Sequence, residues 1–205
     1  MTRFFTVFSA LFLCIAVTAS SAPKKKAAPV RTVVAGIALV DIPAGSFLMG
    51  NDYSAGKTGD PANRYYSDEQ PVHRVTLSAF QMGETEITQA QYRAVTGTNP
   101  SSVVGDDLPV TNVSANEAVA FCNKLSLSAG LAPCYDEKTG KCDFTKNGFR
   151  LPTEAEWEYA CRAGTTTLFS SGSTAASLDR AGWHIGNSGG KVRPVRTTEI
   201  GRAHV

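Results

Sequence analysis

Three segments of this 205-residue chain carry the same helix-start pattern, and they constrain its fold more than any other feature. In each segment a Thr or Ser is followed three residues later by Gln or Glu, which is the spacing of a capping box. A glycine follows each segment where the helix would end, since glycine readily adopts the left-handed conformation of a helix terminus. The starts are Thr88, Ser114 and Thr153, and the stops are Gly97, Gly130 and Gly164.

Short strands are predicted around these helices. Residues 38–42 form the first strand, a Pro-Ala-Gly turn follows, and residues 46–50 form a second strand that returns from that turn. Residues 72–77 alternate apolar and polar side chains, as a half-buried strand does. Long irregular stretches separate these elements. The pattern favours an irregular α+β fold with short helices and strands over a bundle, a barrel or a doubly wound sheet.

The N-terminus is typical of an exported protein. Arg3 precedes an apolar run over residues 4–17, and small residues follow it, so residues 1–22 are predicted to be a signal peptide. The run is short for a membrane span, which needs about 20 apolar residues; a retained anchor is the alternative. Residues 23–36 are a basic Pro/Lys/Ala spacer. We therefore expect a periplasmic or extracellular protein without a stable transmembrane helix after signal cleavage.

The last seven residues stand apart from the rest. Residues 199–205 resemble the in-frame translation of a short-read sequencing adapter, so we leave them out of the fold and expect the native sequence to differ there. The folded segment is then residues 37–198.

The charge of the chain excludes one class of function. Six of the 20 basic residues lie outside residues 36–198, but only one of the 18 acidic residues does, so this segment has a net charge of −3. A protein that binds nucleic acid through phosphate contacts carries a basic surface. We therefore expect no nucleic-acid partner.

Four cysteines remain after the predicted leader. Cys134 and Cys142 stand at the two ends of a predicted hairpin, so in an exported protein we predict a disulfide between them. Zinc binding is the weaker alternative because no Cys-x-x-Cys pair or histidine cluster is present. Cys122 and Cys161 lie inside predicted helices. They are either buried thiols, partners of each other, or partners of cysteines elsewhere.

No pattern of residues indicates catalysis by itself. Glu154, Glu156 and Glu158 resemble a set of paired carboxylates, but they lie in the first turns of a predicted helix, where acidic residues stabilise the helix start. The sequence has no phosphate-binding loop, nucleophile elbow or metalloprotease helix.

Five blocks of sequence, in the same order, resemble the formylglycine-generating enzyme (sulfatase-modifying factor) family. The most specific is Phe-Arg-Leu-Pro-Thr-Glu-Ala-Glu-Trp-Glu-Tyr-Ala at residues 149–160, in which we single out Arg150, Thr153, Glu156 and Trp157 as structural residues. The other blocks are residues 42–50, 69–77, 84–92 and 109–114.

The resemblance implies an irregular fold related to C-type-lectin-like modules. It also implies, for catalytic members, a copper(I) site formed by two cysteines in the C-terminal half, where oxygen converts a cysteine of an exported sulfatase to formylglycine. Those C-terminal motifs are absent from this sequence, so the resemblance covers the N-terminal portion of a truncated domain. The segment itself therefore supplies no catalytic or copper-binding residue.

Further residues follow from the resemblance alone. Asn187 matches an asparagine that helps to bind calcium in some members, and Cys122 and Cys161 match cysteines that bridge to C-terminal partners. Gly83 departs from an acidic residue near the substrate groove of some members, which weakens an assignment to sulfatase activation.

Two main functions remain open. The parent protein either oxidises a cysteine of an exported protein or peptide, or is a non-catalytic module that binds a glycan or protein ligand of the cell envelope. A third candidate, an iron-dependent sulfur-transferring enzyme, would carry an upstream helical domain with a histidine cluster, which the short N-terminus lacks. Shared fold does not decide between them.

Overall fold

The computed structural model of the chain describes residues 14–15, 31–50, 69–167 and 170–198. The strands in these residues are β1 (Cys14–Ile15), β2 (Arg31–Val34), β3 (Ile37–Ile42), β4 (Gly45–Met49), β5 (His73–Leu77), β6 (Phe80–Gly83) and β7 (Phe149–Arg150). The helices are α1 (Gln89–Thr96), α2 (Ala115–Ser128), α3 (Glu154–Arg162), α4 (Ala175–Ala181) and α5 (Ile185–Ser188). None of the helices in this described part is long and apolar enough to cross a bilayer.

Two antiparallel sheets organise the chain. The larger sheet has the strand order β2-β3-β6-β1-β7, and the smaller one consists of β4 and β5. In the larger sheet β3 pairs with β6 through residues such as Val40 and Met82, which stand opposite each other. The mixture of short helices and short strands confirms the predicted α+β class.

The larger sheet is buried on both faces, as β3 shows. Successive side chains of a strand point to opposite faces. Leu39 packs in a core cluster that includes Phe121 of α2, whereas its neighbour Val40 packs in a second cluster that includes Ala160 of α3. Helices α1 and α2 therefore cover one face of this sheet, and α3 covers the other.

All three predicted capping boxes are present. In α1 the Thr88 hydroxyl accepts a hydrogen bond from the Gln91 N–H, and the Gln91 side chain accepts one from the Thr88 N–H at 2.9 Å. The same reciprocal bonds begin α2 at Ser114 and α3 at Thr153. A left-handed Gly97 ends α1.

The sequence predicted a second strand that returns from the Pro-Ala-Gly turn, and this strand is present as β4, although it does not pair with β3. Strand β4 pairs with β5, with Phe47 opposite Val75, while β3 pairs with β2 and β6. The physical reason is that both edges of β3 are already occupied, so the chain after the turn joins a separate sheet.

The larger sheet extends into the predicted spacer. Strand β2 lies within residues 23–36 and forms a two-residue hairpin with β3. Its turn residues Ala35 and Gly36 both have positive φ angles, 49° and 76°. That combination of positive φ angles matches the twist of a tight hairpin.

Strand β1 lies within the predicted leader. Cys14 and Ile15 pair with β6 on one side and with β7 on the other. The cleavage of residues 1–22 and the origin of residues 199–205 stay predictions, and residues 199–205 lie outside the described residues.

Candidate functional site

A buried ion pair connects β7 to α3. Arg150 donates two hydrogen bonds to Glu156, one from Nη1 to Oε2 at 2.7 Å and one from Nη2 to Oε1 at 2.6 Å. The two side chains are only 4% and 10% exposed. A bidentate arginine–carboxylate pair fixes both the distance and the orientation of its partners, so it sets the angle between the strand and the helix.

The same carboxylate also caps the helix. Oε2 of Glu156 accepts a hydrogen bond from the N–H of Thr153 at 2.8 Å, and the Thr153 hydroxyl accepts one from the Glu156 N–H at 3.2 Å. Burial raises the pKa of Glu156, but the hydrogen bonds and charge of Arg150 and the bonds from Thr153 outweigh it and hold that pKa below its usual value. Glu156 is therefore ionised at neutral pH.

The residues predicted to be structural thus occupy one junction. Arg150, Thr153 and Glu156 form the network. Trp157 follows on α3, where its backbone N–H donates to the Thr153 carbonyl at 2.9 Å and its side chain is half-buried. The neighbouring turn contributes a further clamp, because Glu158 accepts a hydrogen bond from the Gly50 N–H at 2.9 Å while Arg162 donates to the Gly50 carbonyl at 2.8 Å.

The predicted hairpin between Cys134 and Cys142 is present, but the disulfide is not formed. Tyr135 stands opposite Cys142, and the Asp143 N–H donates to the Cys134 carbonyl at 2.8 Å. Both cysteines are free thiols in the structure. A disulfide between Cys134 and Cys142 stays a prediction for the exported protein.

The hairpin cysteines are poor nucleophiles. Burial raises the pKa of the Cys134 and Cys142 thiols, and it raises the pKa of Cys122, a fully buried residue of α2, far more. Burial also raises the pKa of Tyr135 to about 12. Since the thiolate is the form that attacks substrates and binds soft metals, these three thiols are suited to packing rather than chemistry.

Copper stays an expectation from the resemblance, and the raised pKa values of the buried thiols do not favour its binding to Cys122 or Cys134. Among the described residues no group of three or more His, Cys, Asp or Glu side chains lies close enough together to hold a metal ion. Cys122 is buried whereas Cys161 is exposed, and both are free thiols. No copper-dependent step is therefore derived from these residues.

Asn187 is already engaged at the start of α5. Its Oδ1 accepts a hydrogen bond from the His184 N–H at 2.8 Å, and its Nδ2 donates to the Gly182 carbonyl at 3.0 Å. Calcium takes six to eight oxygen ligands, and Asn187 contributes a single amide oxygen that is shared with a helix cap. The described residues around it do not fit a calcium site, and calcium at Asn187 stays a prediction from the resemblance.

A loop that the sequence analysis did not single out is held by a buried glutamine. Gln89 is 0% exposed, and its Nε2 donates to the carbonyls of Val103 and Pro109 at 2.8 and 3.4 Å. Its Oε1 accepts from Asn99 Nδ2 at 2.9 Å and from the Gly105 N–H at 3.0 Å. One side chain thus bonds to four points of residues 99–109, which we call the Val loop.

The Val loop displays apolar side chains to solvent. Val103 is 55% exposed and Val104 is 73% exposed, while the backbone beneath them is fixed by Gln89. The signal in the sequence was a polar residue, Gln89, placed three positions before the buried Tyr92 on the core side of a helix. A buried side-chain amide needs partners, which here are backbone groups of the loop.

The fold of the chain is formylglycine-generating-enzyme-like and C-type-lectin-like, as in the solved structures that it resembles. A family model described as the sulfatase-modifying factor enzyme 1-like domain matches residues 24–202. The chain belongs to this family, which confirms the resemblance seen in the sequence.

Individual relatives differ in what their names state. The chain is 36% identical over 143 residues to a protein named chaperone protein LppX from Paenibacillus barcinonensis, with 62% of this chain and 50% of that protein covered. It is 28% identical over 173 residues to the formylglycine-generating enzyme of Mycobacterium tuberculosis, with 65% and 54% covered. The chain spans about half the length of these curated relatives.

A solved structure supports the fold over most of the chain. Treponema denticola variable protein 1 superposes with a TM-score of 0.70 at 32% identity, covering 86% of this chain and 73% of that one. The likeness covers more of the chain than either curated relative does.

Replacing Glu156 tests the buried pair. Because its folded pKa is lowered, Glu156 contributes stability that is present above the unfolded value of about 4.3 and lost as the pH falls through the folded pKa. We expect Glu156→Gln to lower the free energy of unfolding at pH 7 by about 3 kcal/mol, since Arg150 is left buried without its counter-charge. The loss of stability on acidification should also become shallower, as measured by urea denaturation from pH 7 to 3.

The matched control for that measurement is Glu154→Gln, an exposed residue in the same helical turn. It should change the free energy of unfolding by about 0.5 kcal/mol or less. Equal effects of the two substitutions, or an unchanged acid profile for Glu156→Gln, would contradict the role given to the pair.

Proposed function

We propose that this chain is an exported, non-catalytic module that binds polypeptide, built on the formylglycine-generating-enzyme fold. The observation that carries the proposal is the Val loop, in which Val103 and Val104 are exposed above a backbone fixed by Gln89. Exposed apolar side chains on a rigid frame bind without the entropic cost of ordering a flexible loop. They suit an apolar segment of a protein rather than a glycan, whose surface is largely hydroxyl groups.

The protonated state of the buried thiols supports a binding role, rather than a catalytic one, for the described residues. Cys122, Cys134 and Cys142 all have pKa values raised by burial. Catalytic cysteines show the opposite shift, because nearby positive charge or a helix start stabilises their thiolates. Nothing in these three thiols favours oxidase chemistry within this part of the family's domain.

The name of one relative supports a polypeptide as the ligand. One relative is named a chaperone, a class of protein that binds other polypeptides, and it is 36% identical over the aligned residues. The formylglycine-generating enzymes among the relatives are less similar, at 28–29% identity. A periplasmic or extracellular location follows from the predicted leader and belongs to the same proposal.

Replacing Val104 tests the proposed binding surface. We expect Val104→Asp to weaken binding of a permanently unfolded model polypeptide, such as reduced and carboxymethylated lactalbumin, by about tenfold, since burial of a valine is worth about 1.5 kcal/mol or more. The measurement is fluorescence anisotropy of the labelled polypeptide. The control is Leu127→Asp, at a 64% exposed leucine on α2, which should bind like the unmodified chain. Equal binding by all three proteins would refute the surface.

The second candidate is oxidation of a protein cysteine. It is favoured by the 28% identity to the Mycobacterium tuberculosis enzyme, which extends over 173 residues. In that case copper and the catalytic cysteines would belong to the part of the family's domain that this chain does not span.

Oxygen consumption separates the two candidates. With copper(I) and a cysteine-containing sulfatase peptide, we expect this 205-residue chain to give no oxygen uptake above a copper-only control, because burial raises the pKa of the Cys122 and Cys134 thiols and keeps them protonated. A steady, peptide-dependent rate that disappears when the peptide cysteine is replaced by serine would establish the oxidase and overturn the binding proposal.

A further inference from the structure

In the larger sheet, β6 and β7 do not pair with each other but are separated by the width of one strand, and we call the space between them the gap. Strands β6 and β7 flank this gap, and β1 fills it. Cys14 stands opposite Met82 of β6 and Arg150 of β7, and Ile15 stands opposite Gln81 and Phe149. Within the described residues, β7 is joined to the sheet through β1 alone.

The walls of the gap belong to the core. Met82 is 3% exposed, Phe149 is 0% and Arg150 is 3%. A strand edge carries a row of backbone N–H and C=O groups that need partners when they are buried. The gap between β6 and β7 therefore has two such edges facing each other, and any extended backbone placed between them satisfies both.

The segment that fills the gap comes from outside the folded region of the chain. Cys14 and Ile15 belong to the apolar run over residues 4–17, and residues 16–30 separate them from β2 in the sequence. The pairing on each side extends over two residues. A short, apolar, extended segment is thus inserted here as a strand between β6 and β7, and strand addition is a recurring mode of peptide recognition.

We propose that the gap between β6 and β7 is a strand-acceptor site for an extended, apolar polypeptide segment, and that Cys14–Ile15 occupies it in the unprocessed chain. The site deepens the proposed binding function and rests on it for its ligand class. Backbone pairing supplies affinity for any extended sequence, and the buried Met82 and Phe149 of the walls favour apolar side chains. Cleavage of the predicted leader would empty the site, so the precursor is self-occupied and the mature chain is open.

Cross-linking tests the register of β1. In a Cys14→Ser background, the double variant I15C/Q81C should form a disulfide, because register partners on adjacent antiparallel strands have Cα separations that a disulfide can span. Mass spectrometry of the non-reduced protein identifies the bond. The control is I15C/T76C, since Thr76 lies in the smaller sheet and should not link to position 15. Absence of the 15–81 bond, or equal yields in both variants, would refute the site.

Hydrogen exchange tests whether the acceptor opens. Proline has no N–H to donate to a ladder, so C14P/I15P should release β1. We expect exchange in fragments containing residues 80–83 and 149–150 to accelerate by about tenfold, roughly the effect of one lost backbone hydrogen bond. Fragments of α2 should keep their rates. The control C14V/I15V retains both N–H groups and should exchange like the unmodified chain.

A peptide added in trans tests the ligand class. A synthetic peptide of residues 11–17 carrying C14S and a two-lysine tail should restore protection of residues 80–83 and 149–150 in the C14P/I15P protein. The same peptide with proline at position 15 should not. Unchanged exchange in C14P/I15P, or no rescue by the peptide, would overturn the acceptor.

The two proposals fail separately. If Val104→Asp binds unfolded polypeptide normally but peptide 11–17 still protects β6 and β7, the Val loop proposal is wrong and the strand acceptor stands. If Val104→Asp weakens binding but the peptide gives no protection, the acceptor is wrong and the binding module stands.

Discussion

The position of α3 against the larger sheet depends on the Arg150–Glu156 ion pair. Two charges this deeply buried are costly unless they pair with good geometry, and here Nη1 and Nη2 of Arg150 each donate to a different carboxylate oxygen of Glu156. The same carboxylate completes the cap of α3 through Thr153. Strand, helix start and ion pair are therefore one unit, and the removal of either charge leaves the other charge buried without its counter-charge.

That unit also ties the two sheets together. Once α3 is fixed, Glu158 and Arg162 on its outer turns reach both backbone groups of Gly50, at the end of the β4 strand. The smaller sheet is thus attached to the larger one through a helix rather than through strand pairing. The fold relies on a few specific polar contacts of this kind because its regular elements are short.

The residues that stabilise the fold differ from those that we propose bind a ligand. The junction between β7 and α3 is built from buried charges, whereas the Val loop presents exposed apolar side chains to solvent and is held from below by the buried Gln89. Loops that carry function on a rigid scaffold are a general feature of proteins.

The sequence predicted the local features better than the long-range ones. Capping boxes at Thr88, Ser114 and Thr153 depend only on residues within one turn, so their prediction was confirmed. The pairing of β4 with β5 depends on which strand edges are free, and a local pattern does not contain that information.

For the candidate site, too, local contacts were predicted and long-range contacts were not. Arg150, Thr153 and Glu156 were found from a short motif and do form one network. Gln89 was missed because its partners lie up to 20 residues away in the Val loop. The hairpin of Cys134 and Cys142 was recognised from its turn, but its register, which decides whether the cysteines face each other, was not.

A double-mutant cycle on Arg150 and Glu156 tests the central claim most directly. The proteins are R150M, E156M and R150M/E156M, and the free energy of unfolding is measured by urea denaturation at pH 7. A cycle on the exposed Arg93–Asp106 pair, whose side chains are 46% and 68% exposed, is the control and should give a coupling of about 1 kcal/mol or less. We predict that R150M/E156M is more stable than either single variant, because each single variant leaves one buried charge unpaired. Additive losses within about 0.5 kcal/mol would contradict the claim that this pair fixes the fold.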